Sequence, residues 1–247
     1  MSIETYGTGE RLKTAARLAS SLGVKSHITL LPVPTTRDKK YVANTDILLE
    51  DTLQNAEEGS ILVGYGLPDG YKSRAESLGA RVLDLSLDEQ YLCENAYLTA
   101  LGTLGYILTT DRRAISDMTF GIVGYGRIGS RLVRMLLFLS ARVRIYTSKL
   151  LSRLDLGECG IDSVSAYEGA GDFSGIDVLI NTAPKDMRGY FPDGKIPHGM
   201  RVIELASGDN FVGIEGVEKL PSLPEKMYPE SAGGTYFAAV KRFLNAE

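Results

Sequence analysis

Three glycines near the middle of the chain have the spacing of a dinucleotide-binding turn. An apolar run ending at Val123 leads into them, and a pattern with apolar residues at every third or fourth position follows, which predicts a helix. A second β-rich run, 143–146, closes the unit. This order of strand, glycine turn, helix and strand is the context in which the motif binds a nucleotide. We therefore expect a cofactor at Gly124, Tyr125, Gly126, Arg127, Ile128 and Gly129.

Each glycine of this turn has a separate physical role. Gly124 lets the chain turn sharply after the strand, Gly126 lets a pyrophosphate approach the backbone, and Gly129 lets the helix pack closely on the sheet. The free N–H groups and the dipole at the start of the helix then favour phosphate. The alternative is a Rossmann-like fold that has lost its ligand.

The end of the second strand indicates which nicotinamide cofactor binds. NAD-binding units usually carry Asp or Glu about 20 residues after the first glycine, where the carboxylate holds the ribose 2′-hydroxyl. This chain has Thr147, Ser148 and Lys149 there. Two hydroxyls and a cation favour a 2′-phosphate, so we predict NADP as the cofactor. The alternative is NAD, with Lys149 a solvated surface residue and either cofactor accepted.

A polar turn in the first part of the chain suits an acidic substrate. Residues 27–33 are apolar and β-rich, and Thr35, Thr36 and Arg37 follow at the carboxyl end of this predicted strand. Hydroxyl donors and an arginine, which can bind a carboxylate through two hydrogen bonds, suit a small dicarboxylate. The alternative is a plain polar turn in which Arg37 pairs with Asp38.

Four further polar residues are candidates for the catalytic site. Asn95 and Thr99 lie four residues apart on one face of a predicted helix, Ser207 follows a predicted strand, and Glu230 lies in a predicted loop. The alternatives are that Asn95 and Thr99 tie two domains together, and that Ser207 and Glu230 only cap a strand and form a turn. The predicted cofactor site is completed by the loop Thr182, Ala183 and Pro184.

Composition excludes several classes of function. A net charge of −4 argues against a nucleic-acid partner, and no run approaches the length of a membrane span, so we expect a cytoplasmic protein. The two cysteines match no metal or redox spacing, and two histidines cannot form a histidine-rich metal site. His198 precedes a predicted strand and His27 begins one, which is the wrong end of a parallel sheet for a ligand.

The elements that position these residues alternate between strands and helices, which predicts an α/β fold with parallel sheets. We expect a doubly wound Rossmann sheet in residues 89–234 and a smaller, flavodoxin-like α/β domain in 1–88, with a cofactor cleft between them. The terminal helix, 235–247, is expected to pack on the smaller domain. A long helix, 88–111, leads into the nucleotide unit.

Three further stretches complete the predicted elements. Residues 47–56 indicate a helix, 220–224 an extended piece, and 228–234 a loop before the terminal helix.

With these motifs in order, the chain resembles the family of the A-type subunit of dipicolinate synthase, within the D-2-hydroxyacid dehydrogenase superfamily. The resemblance covers most of residues 28–244, and the chain looks shorter at its N-terminus, as if a first strand and part of its helix were missing. Residues that carry the resemblance, besides the glycine turn, are Leu31, Pro32, Val33, Thr35, Thr36, Asn95, Thr99, Gly102, Thr103, Asn181, Thr182, Pro184, Leu205, Ala206, Ser207, Pro229, Ala232 and Gly233.

The resemblance implies an NAD(P)-linked oxidation of a dihydrodipicolinate-type dicarboxylate to dipicolinate, a sporulation reaction. It also implies a flavoprotein-like second subunit, and we expect the chain to form a homo-oligomer.

The chain departs from the dehydrogenases proper at two positions. Their substrate arginine is replaced by the segment 206–208, and their proton-transferring histidine by Glu230. Two alternatives therefore stay open: a 2-hydroxyacid or 2-ketoacid dehydrogenase with atypical residues, and a nucleotide-binding subunit without turnover.

Overall fold

Two parallel β-sheets form the framework of the chain in the computed structural model. The structure describes residues 2–23, 26–148, 161–165, 172–191 and 193–246, with the backbone alone for 161–165. The chain divides into two units, residues 1–98 with 224–247 and residues 99–223. The predicted α/β class with two domains and a Rossmann sheet is confirmed.

The first unit has a four-stranded sheet in the order β1-β2-β3-β4, with every pair parallel. Its helix α1 buries Leu12, Ala15 and Ala19, and these apolar side chains recur on one face of the helix. The elements are β1 (Ile3–Thr5), α1 (Glu10–Ala19), β2 (Ile28–Leu30), β3 (Ile61–Gly64), α2 (Asp69–Ser77), β4 (Arg81–Asp84), the start of α3 (Glu89–Thr110), α5 (Leu223–Met227) and α6 (Pro229–Asn245).

Helix α6 packs closely against α1 because a glycine lies at their contact. A Cβ atom on Gly233 would overlap the side chain of Thr14. Further along α6, the buried Tyr236 hydroxyl donates hydrogen bonds to the carbonyl oxygens of Leu31, at 2.9 Å, and Val63, at 3.2 Å. The terminal helix is thereby attached to the carboxyl ends of β2 and β3.

The second unit has a six-stranded sheet in the order β10-β9-β8-β5-β6-β7, again all parallel. Counted within the unit, this is the 3-2-1-4-5-6 order of the doubly wound nucleotide-binding sheet. The chain therefore reverses its direction of winding between β5 and β8. The elements are β5 (Thr119–Val123), α4 (Arg127–Phe138), β6 (Arg142–Tyr146), β7 (Ile161–Ser165), β8 (Val178–Asn181), β9 (Arg201–Glu204) and β10 (Val217–Lys219).

Helix α4 covers this sheet with an apolar face. Leu132, Val133 and Leu136 are fully or almost fully buried, as are Phe120 and Ile122 of β5. Burial of side chains of this size contributes about 1.5–3 kcal/mol each, so this contact fixes the helix over the strand that carries the glycine turn.

The structure corrects several elements predicted from the sequence. A first strand is present, β1, so the expectation that it is missing was wrong. Residues 47–56 contain only a short 3₁₀ turn, Leu49–Leu53. Of the extended piece predicted at 220–224, only residues 220–222 link β10 to α5, because α5 begins at Leu223. The predicted loop at 228–234 is helical from Pro229, because proline suits the first helical position and only the later glycines resembled a loop.

The unit boundary also lies elsewhere than the sequence suggested. It falls within α3, after Leu98, whereas a boundary was expected at residue 88. Helix α3 itself spans nearly the whole predicted segment 88–111.

The contact of Gly129 with the glycine turn gives a prediction about stability. Gly129→Ala should lower the free energy of unfolding by about 1–3 kcal/mol, because the new Cβ overlaps the Gly124 carbonyl oxygen and the backbone has to shift. Urea denaturation measures the change. Gly70→Ala is the control, since Gly70 lies in α2 with open space around its Cα and should lose no stability. Equal stability of the Gly129→Ala and wild-type proteins would contradict the proposed close contact.

Candidate functional site

The glycine turn after β5 has the geometry that a bound pyrophosphate needs. Gly124 has a φ of +92°, and a Cβ on it would lie 2.8 Å from Thr182 Oγ1. Gly126 is exposed, and nothing lies within 4 Å of the place where its Cβ would be. The turn is therefore closed by Gly124 and Gly129 on its protein side and open at Gly126, so the residues present fit a phosphate group.

The start of α4 adds an electrostatic preference for anions. Gly126 is its N-cap and provides no side-chain hydrogen bond, and no acidic residue lies in the first turn. Tyr125 and Ile128 are half-buried, and Arg127 is exposed. The partial positive charge at this end of the helix favours phosphate.

The loop after β8 lies directly against the glycine turn. Thr182 Oγ1 donates hydrogen bonds to the carbonyl oxygens of Val123, at 2.9 Å, and Gly124, at 3.3 Å. Since β5 and β8 flank the point where the winding reverses, both loops leave the sheet at the switch point where ligands bind in such folds. The structure thus brings the loop of Thr182, Ala183 and Pro184 together with the glycine turn.

The predicted determinants of the 2′-phosphate are only partly described. Thr147 follows β6 and is buried, whereas Ser148 is exposed. Strand β6 is the neighbour of β5, and Gly124 N donates to the Tyr146 carbonyl at 2.8 Å, so this strand end adjoins the turn. Lys149 lies outside the described residues, and the preference for NADP stays a prediction.

A buried carboxylate that the sequence analysis missed links the next two strand ends. Asn181 Nδ2, at the end of β8, donates to both carboxylate oxygens of Glu204, at the end of β9, at 3.1 Å each. Ala206 N donates to Glu204 Oε1 at 2.7 Å, and Ala183 N donates to Asn181 Oδ1 at 3.2 Å. The pair therefore fixes both loops that leave the sheet beside the glycine turn.

Burial changes the pKa of the carboxyl group in this pair. Glu204 is 4% exposed, and burial raises the pKa of its carboxyl above the ordinary value, while the hydrogen bonds from Asn181 and Ala206 oppose the rise. Its hydrogen-bond donors are neutral groups. A polar residue closing an apolar strand at the carboxyl edge was the sequence signal that could have identified Glu204.

Ser207 lies in the loop that this pair orients. The side chain of Ser207 is exposed, and its carbonyl oxygen accepts a hydrogen bond from Asn210 Nδ2 at 3.2 Å. Ser207 is one of the four candidate catalytic residues. Hydrogen bonds of Glu204 connect its loop to Asn181, which holds the loop beside the glycine turn.

Glu230 has a different environment from the one predicted. It lies in the first turn of α6, where its carboxylate accepts hydrogen bonds from Arg17 Nη2, at 2.6 Å, and Thr14 Oγ1, at 3.3 Å. The expected loop position was wrong, because the helix begins at Pro229. In the structure Glu230 joins α6 to α1 of the first unit.

Asn95 and Thr99 lie one turn apart on α3, as predicted. Asn95 is half-buried and Thr99 is buried, and the Thr99 carbonyl accepts a hydrogen bond from Thr103 Oγ1 at 2.8 Å. The unit boundary falls between the two residues. Their catalytic role stays a prediction.

The threonine side chains of the predicted substrate turn form hydrogen bonds with neighbouring groups of the protein. The buried Thr35 hydroxyl donates to the Pro32 carbonyl at 3.1 Å and accepts from Tyr65 N at 2.7 Å. Thr36 Oγ1 donates to Asp38 Oδ1 at 3.2 Å. Arg37 is exposed and has no hydrogen bond or ion pair with any described residue, so the alternative pairing with Asp38 is absent there.

The remaining expectations concern histidines, metals and membranes. His27 lies just before β2, within hydrogen-bond distance of Ser2 Oγ and Thr29 Oγ1, and His198 is exposed before β9. Within the described ranges, no three His, Cys, Asp or Glu side chains are grouped as a metal site would require. No described helix is both long enough and apolar enough to cross a bilayer.

Two solved structures share this fold over nearly their whole length. The A-type subunit of dipicolinate synthase from Bacillus halodurans is similar with a TM-score of 0.77 at 20% identity, over 99% of this chain and 97% of that one. The corresponding protein from Bacillus subtilis gives a TM-score of 0.78 at 18% identity, over 99% and 96%. The chain has the fold of this dipicolinate synthase component.

A more distant similarity includes a structure with a nicotinamide cofactor. The NAD-complexed D-isomer specific 2-hydroxyacid dehydrogenase from Lactobacillus delbrueckii ssp. bulgaricus has a TM-score of 0.52 at 10% identity, over 99% of this chain and 96% of that one. No protein-family model and no curated protein matches the sequence. The predicted resemblance is thus confirmed at the level of the fold, which is one that NAD-dependent oxidoreductases use.

The Asn181–Glu204 pair gives a prediction about pH. Since folding raises the pKa of Glu204, the folded state binds this proton more tightly than the unfolded state does. The contribution of the carboxyl to stability is therefore greatest below its ordinary pKa of 4.5 and is lost as the pH rises through the folded value. Glu204→Gln keeps the side chain neutral, so its stability relative to wild type should improve as the pH rises above the ordinary glutamate pKa of 4.5.

Urea denaturation at several pH values measures this difference. The matched control is Glu215→Gln, which removes an exposed carboxylate of the same unit. A stability difference for Glu204→Gln that does not change with pH would show that Glu204 keeps its ordinary proton affinity in the folded state.

Proposed function

We propose that this chain is an NADP-linked oxidoreductase that oxidises a dihydrodipicolinate-type dicarboxylate to dipicolinate. The observation that carries the proposal is the glycine turn at the switch point of the second sheet. There Gly126 leaves the backbone open and Thr182 closes the turn from the neighbouring strand. The similarity in fold to the A-type subunit of dipicolinate synthase supports the substrate class.

In this proposal the protein binds and orients the substrate and the cofactor, and the cofactor accepts the hydride. A dihydropyridine ring that becomes aromatic loses one hydride and one proton, and the stability of the aromatic product favours the reaction. A strong general base matters less under those conditions, which is compatible with Glu230 standing in place of histidine. Asn95, Thr99 and Ser207 are the residues proposed to face the nicotinamide and the ring.

The loops after β8 and β9 have a defined part in this proposal. Asn181 and Glu204 hold Ala183 and Ala206 by their backbone N–H groups. We propose that this pair keeps the two loops in fixed positions relative to the cofactor. Self-association of the chain and a flavoprotein-like second subunit remain predictions from the resemblance.

The second candidate function is nucleotide binding without turnover. It is favoured by one observation, the engagement of Glu230 with Arg17 and Thr14 in the first unit. The glycine turn has the same role in both candidates, so they differ only in the chemistry that follows binding.

The glycine turn gives a prediction common to both candidates. Gly126→Val should abolish binding of NADPH, because the new methyl groups occupy the place proposed for the pyrophosphate. The fold should survive, since the backbone of Gly126 has a φ of −95° and open space beside it. Calorimetric titration with NADPH measures the affinity. Gly70→Val, an equal change in α2 with similar open space, should bind as wild type does.

Retention of wild-type NADPH affinity by folded Gly126→Val would refute the assignment of the cofactor site.

Turnover separates the two candidates. Purified protein, with a freshly generated dihydrodipicolinate-type substrate, should form NADPH, detected by absorbance, and should prefer NADP⁺ over NAD⁺. Lys149→Ala should remove most of this preference, since a hydrogen bond to a charged group contributes about 1.5–3 kcal/mol. Absence of NADPH formation, although NADPH binds, would favour the function without turnover. An equal or higher activity with NAD⁺ would exclude the proposed role of Lys149.

A further inference from the structure

Helix α1 of the first unit carries an arginine in an unusual environment. Arg11 is 4% exposed, which is rare for a charged side chain without an anionic partner. Its Nη1 donates a hydrogen bond to the Tyr91 hydroxyl at 3.0 Å. No ion pair joins Arg11 to any acidic side chain of the described residues within 4.0 Å. A buried positive charge is thus held by one neutral partner.

The unpaired atoms of Arg11 lie on one edge of the guanidinium. Nε is buried and has no hydrogen-bond partner within the described parts of the chain. Nη2 also has no hydrogen bond there, and it is less completely buried than Nε. The Nε and Nη2 hydrogens point in the same direction in any arginine. This edge is the planar fork that binds the two oxygens of a carboxylate.

The surroundings of Arg11 place this fork at the ligand-binding end of the sheet. Tyr236 connects the same region to the carbonyl oxygens at the carboxyl ends of β2 and β3. The Tyr91 ring lies 6.5 Å from that of Tyr236 and 6.3 Å from that of Tyr65, which follows β3. Ligands of parallel α/β sheets bind outside the carboxyl ends of the strands.

The start of α1 adds to the preference for an anion. Helix α1 follows β1 through Gly7, Thr8 and Gly9, and its N-cap, Gly9, provides no side-chain hydrogen bond. Arg11 lies in the first turn, where the helix dipole favours negative charge. A helical side chain points back towards the N-terminus, so the guanidinium and the free N–H groups lie on the same side.

One resident carboxylate lies near this place. A Cβ atom on Gly9 would overlap the carboxylate of Glu225, and the charge of Glu225 acts on the same Tyr91 hydroxyl as that of Arg11. Glu225 nevertheless forms no ion pair with Arg11 within 4.0 Å. It shows that this end of α1 accommodates a carboxylate, and its charge opposes the approach of a second one.

We infer that Arg11 is the anchor for a carboxylate group of the substrate, which it binds through its Nε–Nη2 edge. The inference rests on the proposed function for the identity of the ligand, a pyridine- or dihydropyridine-dicarboxylate. Tyr91 fixes the guanidinium through Nη1 and leaves the opposite edge for the ligand. The alternative role is purely structural, in which Arg11 only holds Tyr91 in the core of the first unit.

Calorimetric titration of the full chain with dipicolinate tests the inference. Arg11→Met should weaken binding at least about ten-fold, because it keeps an unbranched apolar stem and removes the guanidinium fork. Arg11→Lys should bind with intermediate affinity, because lysine has the charge without the planar pair of donors. Arg17→Met is the matched control: Arg17 lies on the same helix, is exposed and should not affect binding.

A double variant separates a loss of ligand binding from a loss of folding. Arg11→Met leaves the Tyr91 hydroxyl buried without a partner, whereas Arg11→Met with Tyr91→Phe removes both polar groups and should be at least as stable as wild type. This double variant should still bind NADPH and should have lost dipicolinate binding. Glu225→Gln should strengthen dipicolinate binding, because it removes the opposing charge.

The outcomes distinguish this inference from the proposed function. Wild-type dipicolinate affinity in the folded double variant would overturn the role of Arg11 and leave the proposed function in place. Binding of simple carboxylates such as benzoate that depends on Arg11, without binding of dipicolinate, would support Arg11 and count against the proposed substrate. No binding of any carboxylate by wild type, or tighter binding of inorganic phosphate, would overturn the inference.

Discussion

The second unit depends on one close approach between the helix α4 and the turn that precedes it. Gly129 lies so near the Gly124 carbonyl oxygen that any side chain would force them apart, and the same carbonyl accepts a hydrogen bond from Thr182. Because α4 begins directly after Gly126, its first N–H groups face the open side of the turn, where an anion can bind. The packing of the sheet, the position of the neighbouring loop and the anion preference therefore share one constraint, the absence of a Cβ atom.

That constraint is local in sequence, and this is why the sequence predicted it. The strand, the glycines and the amphipathic helix lie within residues 119–146, and their spacing determines the turn without reference to distant residues. Long apolar strands and the helix α3 were predicted for the same reason. Two short strands, β1 and β10, were not predicted: each has three residues, and neither lies in a longer apolar run as the three-residue strand β2 does. The start of α6 was missed because Pro229 and two glycines resemble a loop.

The polar contacts behind the candidate sites could not be predicted in this way. Glu204 and Asn181 are 23 residues apart and meet because β8 and β9 are neighbours, while Arg11 and Tyr91 are 80 residues apart. Sequence reasoning selected Arg37 and Glu230 by their position after a strand or a proline. In the structure Arg37 is exposed, and Glu230 pairs with Arg17 on α1. Arg11, which is buried and incompletely paired, lies inside a helix, where its spacing resembles that of any amphipathic surface residue.

Glu204 and Arg11 are both buried, and neither forms an ion pair with another described residue, yet they suggest different roles. Both oxygens of Glu204 accept hydrogen bonds from neutral donors, which offset part of the cost of burying the carboxylate, and these bonds orient two loops. Arg11 has five donors and one acceptor, Tyr91. Removing one partner of a buried charge is strongly destabilising, so a fork left half-satisfied is most easily explained if its missing acceptor arrives with a ligand. The degree of hydrogen-bond satisfaction, rather than burial itself, therefore distinguishes a residue that positions a site from one that binds.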